Sequence, residues 1–105
     1  MQGRNWKELK PVLDKDGIHG TKLYVQPEGE IVHLRLQPGA HLKAHTTPVN
    51  VAFYVLEGTA MLLIGSEEQS FPPDTIIDSP KDLPHAVTNK GDRDLRILVI
   101  KMPKP

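Results

Sequence analysis

HTTPVNVAFYVLEG, residues 45–58, sets the reading of this chain. A histidine and two threonines lead into a run rich in β-branched and aromatic side chains, which closes on Glu57-Gly58. Val51, Phe53 and Val55 alternate with Ala52 and Tyr54, so they share one face of an extended strand. Ordinary core packing explains that face. Glu57-Gly58, with Thr59–Ile64 behind it, reads as a tight hairpin turn. The open question is His45: a metal-ligating residue, or a polar side chain at the end of an apolar strand.

The same period of two recurs on either side. In Ile31–Leu36, Val32, Leu34 and Leu36 fall on one face, with His33 and Arg35 on the other, which predicts a half-buried strand whose polar face meets solvent. Thr21–Val25, Gln69–Phe71, Thr75–Asp78, Ala86–Thr88 and Leu95–Ile100 read as further short strands. Turns fall at Gln26–Gly29, Pro38-Gly39, Gly65-Ser66 and Asn89–Asp92. No segment sustains a helical period. Asn5–Leu9 is consistent with one helical turn or with an arm lying on a sheet. Ten prolines and eight glycines in 105 residues fit many short strands, and the pattern predicts an all-β antiparallel sandwich or barrel. One domain is expected over residues 1–105, with residues 1–18 as an N-terminal arm and 102–105 as a short tail.

Thirteen basic and thirteen acidic residues cancel, which argues against nucleic acid or an anionic membrane as partner. No cysteine is present, so disulfides, zinc thiolates and cysteine nucleophiles are excluded. No run of apolar residues reaches membrane-spanning length, and residues 1–20 lack the apolar core of a secretion signal, so the expected compartment is the cytoplasm.

Gly39, His45 and Gly58 together with Pro80, His85 and Asn89 resemble the two motifs of the cupin superfamily, in order and in register. The first motif runs glycine, five residues, histidine, one residue, histidine, three or four residues, glutamate, six residues, glycine. The second runs glycine, five residues, proline, one residue, glycine, two residues, histidine, three residues, asparagine. This chain departs from them at Thr47 and Val51, which stand in the second-histidine and glutamate slots, and at Asp74 and Asp82, which stand in two glycine slots.

The resemblance implies a small antiparallel jelly-roll β-barrel. In metal-binding cupins three histidines and a glutamate hold iron, manganese, zinc, nickel or copper, and only His45 and His85 carry over. A threonine hydroxyl is a poor ligand for such ions and valine is none. His41 is a substitute ligand if residues 41, 43 and 45 share a face, and His33 is another if the Val32 face is the outer one. Phe53 and Asn89 are expected to line the pocket, and the bland alternative is a neutral His45–His85 couple hydrogen-bonded to Thr47 or Asn89. The expected function is small-molecule binding in the barrel through His45 and His85, with or without a loosely held divalent ion. The alternatives are a metal-dependent dioxygenase, isomerase or decarboxylase, and a non-catalytic structural or regulatory module. The family also implies a homodimer formed by packing of sheets.

Overall fold

Strands with one apolar face need a second layer to bury it, and here two antiparallel sheets supply it for each other. The computed structural model describes residues 1–105. A single 3-10 turn, Trp6–Glu8, is capped by Asn5, whose side-chain oxygen accepts from the Lys7 amide at 3.0 Å. Ten strands follow: β1 (Leu13–Lys15), β2 (Ile18–Gln26), β3 (Gly29–Leu36), β4 (His41–His45), β5 (Asn50–Glu57), β6 (Ala60–Ile64), β7 (Glu67–Phe71), β8 (Ile76–Ser79), β9 (His85–Thr88) and β10 (Leu95–Met102). One sheet runs β1-β2-β3-β10-β5-β8 and the other β4-β9-β6-β7, an all-β jelly-roll fold. No helix is long and apolar enough to cross a membrane.

The core lies between the sheets. Val32, Leu34 and Leu36 of β3 face inward beside Leu95, Ile97 and Val99 of β10 and Val51, Phe53 and Val55 of β5. Leu62 and Val87 close it from the smaller sheet. The alternation expected of β3 and β5 is thus the inner face of the barrel.

Two expectations change. First, Glu57-Gly58 is not a hairpin turn. β5 pairs with β10 and β8, whereas β6 pairs with β7 and β9, so the chain crosses there from one sheet to the other. Gly58 adopts φ +82°, and a Cβ on it would meet the Asp94 carbonyl oxygen at 2.6 Å. The crossing therefore needs glycine both for its left-handed backbone and for the close approach of a second chain segment. Second, His33 does face outward but is only 1% exposed. Trp6 stacks on its ring at 4.4 Å, and Arg96 donates to its Nε2 at 3.1 Å. Burial, reinforced by the Arg96 guanidinium, pushes the His33 pKa down to about 4, so the ring is neutral. The N-terminal segment is thereby fixed to the barrel at both ends. Trp6 covers the outer face of β3, and β1 joins the sheet through the two-residue turn Asp16-Gly17, where both φ angles are positive.

Gly58→Ala is predicted to destabilise the fold by more than about 2 kcal/mol, combining left-handed strain with a backbone clash. Urea denaturation of the purified variant checks this, and a loss within the range of ordinary surface substitutions would remove Gly58 from its crossing role.

Candidate functional site at the barrel mouth

A bulge in β4 creates the site. His41 pairs with Thr88 and Leu42 with Val87, but His45 pairs with His85, so β4 carries one residue more than β9 over this stretch. Leu42 and His45 consequently take the inner face together, and His41 takes the outer one. The expectation that residues 41, 43 and 45 share a face presumes a regular strand, and the bulge breaks it. His41 is exposed and bonds Thr88 Oγ1 at 2.7 Å, away from the pair. His33 is excluded as a ligand as well, because the Val32 face is the inner one.

His45 and His85 meet. Their Nε2 atoms lie 3.2 Å apart with the rings edge to face, His85 3% exposed and His45 open to solvent. His45 Nδ1 lies 3.2 Å from the Lys43 carbonyl, which can only accept, so that nitrogen carries the proton and His45 Nε2 is left with a lone pair. His85 Nε2–H donates to it, shared with Thr47 Oγ1 at 3.3 Å. His85 Nδ1 then accepts from the Ser79 hydroxyl at 2.8 Å. All four ring nitrogens thus have hydrogen-bond partners. Burial is the largest reason that the His85 pKa falls to about 4, with His45 and Lys101 adding to it. Phe53 lies beneath, edge-on to His85 at 5.2 Å.

The loops that carry Thr47 and lead into His85 are clamped to each other. Asp82 N donates to the Thr47 carbonyl at 2.9 Å, and Lys81 N to Asn50 Oδ1 at 3.0 Å. Asp74 and Asp82 have φ of +64° and +67°, so both glycine slots of the second motif keep their left-handed backbone with aspartate, a side chain that tolerates it. Asn89 is not in the pocket. It sits buried past the other end of β9, where its side-chain amide donates to the Leu36 and Arg93 carbonyls at 2.9 and 2.8 Å and ties two chain segments together. Ser79 is not among the residues that the motifs place at the site. Its alternation with the apolar Ile77 is the signal that puts it on the inner face.

Residues 32–101 match the cupin domain family Cupin_2. This chain belongs to the cupin family. No curated protein matches it. Among solved structures, this cupin is similar to KdgF from Halomonas sp., with TM-score 0.88, 16% identity, and 100% of this chain and 96% of that one covered. It is similar also to TT1209 from Thermus thermophilus, with TM-score 0.85, 24% identity and both chains covered at 100%. A third is the polyketide cyclase RemF from Streptomyces resistomycificus, with TM-score 0.83, 18% identity, and 99% of this chain and 80% of that one covered. At these identities the likeness is one of fold.

The metal that cupins commonly hold is tested by the donor set of this cupin. Nε2 atoms 3.2 Å apart have the spacing of neighbouring ligands, each about 2.1 Å from one ion. Nothing completes the shell. Thr47 offers a weakly donating hydroxyl, Val51 is a buried hydrocarbon, and no group of three histidine, cysteine, aspartate or glutamate side chains converges anywhere in the molecule. The residues do not fit a tightly bound divalent ion. The double variant Thr47→His with Val51→Glu is accordingly predicted to acquire one. Its melting temperature should rise with added zinc or nickel and fall back with chelator, while the parent protein shows no such shift. A parent melting temperature that responds to the ion as strongly as that of the variant would contradict this reading.

Proposed function

We propose that this cupin binds a small organic molecule at the mouth of its barrel, held directly by His45, His85 and Thr47 rather than through a tightly bound metal. One observation carries the reading: a solvent-open imidazole and a buried one converge with a hydroxyl on a single point. A ligand that takes the place of the His45–His85 bond meets N–H, O–H and lone-pair partners over the apolar floor made by Phe53 and Val51. A loosely held divalent ion remains compatible with the spacing of the two nitrogens. A metal-dependent dioxygenase, isomerase or decarboxylase is disfavoured because Thr47 and Val51 stand where its other ligands would be. The neutral, low-pKa His85 is suited to donating and accepting hydrogen bonds rather than to carrying charge near pH 7. We place the protein in the cytoplasm, the compartment that a cysteine-free chain fits.

The ring signals of His45 and His85 in a carbon–proton NMR spectrum report the site. Titration with a panel of small acids, amides and sugars is predicted to move both saturably for at least one compound at about 1 mM. Silence of both rings across the panel would overturn the reading.

The non-catalytic dimeric module has separate support, and we propose a second copy of this chain as its partner. A groove of about 370 Å³ runs along β5, β8 and the end of β10; Asn50, Ala52, Asp78, Pro80, Ile100 and Met102 line it together with Val51 and Ser79. Ile76 beside it is 59% exposed. A β10 strand apolar on both faces calls for cover on its outer side, and zero formal net charge leaves no long-range repulsion between two copies. Light scattering should give a dimer that Ile100→Glu converts to monomer. A monomer for the parent protein at high concentration would refute it.

A further inference from the structure

Sheet register places one row of side chains across the inner face at the barrel mouth. Glu30 of β3 pairs with Lys101 of β10, Lys101 with Val51 of β5, and Val51 with Ser79 of β8. Directly paired residues point to the same side of a sheet. The row therefore runs from an ion cluster at Glu30 and Lys101, over Val51, to the hydroxyl that holds His85. Val51 occupies the slot where the family motif has a carboxylate, and its neighbour on the adjacent strand is an ammonium group.

The cluster carries a surplus positive charge. Glu30 is buried and lies 3.1 Å from Lys22 and 3.5 Å from Lys101. Burial alone raises the carboxyl's pKa, but the two lysines outweigh it and hold Glu30 below its ordinary value, so it is ionised. Two lysines against one glutamate leave one positive charge, and Lys22 makes the shorter of the two pairs. Lys101 has a side chain about one-quarter exposed, keeps hydrogen-bond capacity beyond Glu30, and stands one strand from Val51.

We propose that the ligand of this site is a small organic anion, a carboxylate spanning the floor at Val51 between the Lys101 ammonium and the His85–Thr47 donors. This rests on the small-molecule reading of the His45–His85 site and specifies its ligand class. An anion there accepts a charge-assisted bond from Lys101 and an O–H bond from Thr47, and takes the His85 Nε2–H in place of the His45 ring, across ground with no competing carboxylate in the row apart from the already paired Glu30. The same ammonium repels a divalent cation at the adjacent slot. The loss of the metal carboxylate and the presence of a cation are thus one change in the sign of charge the site favours.

Pyruvate, malonate and benzoate are the probes, each compared with its neutral amide and followed at the His45 and His85 ring signals. The acids are expected to bind at least about tenfold more tightly than the amides, with affinity falling as salt is added. Lys101→Met should lower acid affinity about tenfold while Lys22 keeps Glu30 paired, and Lys101→Arg should retain it. Equal binding of acids and amides, or unchanged acid affinity in Lys101→Met, would overturn the anion assignment and leave small-molecule binding standing. If neither class of probe moves either ring, the small-molecule reading fails and the assignment with it.

Discussion

His85 is a neutral imidazole buried at the mouth of the barrel, and three chain segments together supply partners for both of its ring nitrogens. Ser79 reaches it from the larger sheet, His45 from β4 and Thr47 from the loop between β4 and β5. Each of these positions follows from a specific backbone device. The β4 bulge turns His45 inward, the left-handed Asp82 carries the amide that fixes Thr47, and the parity of β8 presents Ser79. Removing Ser79 would leave His85 Nδ1 without a partner, at a cost of about 1–3 kcal/mol, whereas Nε2 has both His45 and Thr47.

The electrostatics of the mouth follow from the same register. A cupin barrel arranged for a divalent ion gathers carboxylate and imidazole lone pairs on one point. Here one imidazole lone pair is occupied by the other ring, the carboxylate slot is Val51, and an ammonium sits beside it. The scaffold is that of the family, while the side chains at its mouth present donors and positive charge. Fold and chemistry are separable because the barrel is held by inward-facing apolar side chains, and Val51 in the carboxylate slot simply joins them.

Much of this is legible in the sequence, because period-two alternation reports burial directly. Ile31–Leu36 and Val51–Leu56 declare their inner faces correctly, and the paired motifs point to the jelly roll and to the meeting of His45 with His85. What escapes a sequence reading depends on long-range partners. Glu57-Gly58 has the composition of a hairpin turn, and only the pairing of β6 with β9 shows that it is a crossing between sheets. His41 is misplaced by simple alternation because a bulge leaves no local mark in sequence. Asn89 keeps its family position but serves as a clamp between Leu36 and Arg93. His33 reads as part of a solvated face, since nothing local announces that Trp6 will cover it. Two further signals are present in the sequence: Asp16-Gly17 as a hairpin turn that makes β1 a strand, and continued alternation from Leu95, Ile97 and Val99 that puts Lys101 on the inner face.

The hydrogen bonds make the two histidines partners of each other rather than ligands of a tightly bound ion, and the proton positions on their rings report this directly. Long-range nitrogen–proton NMR correlations on the protein purified without a histidine tag distinguish the tautomers. The expected result is His45 protonated at Nδ1 and a neutral His85 protonated at Nε2. Both rings protonated at Nδ1, with their Nε2 signals shifted or broadened by a bound ion and restored by chelator, would contradict it.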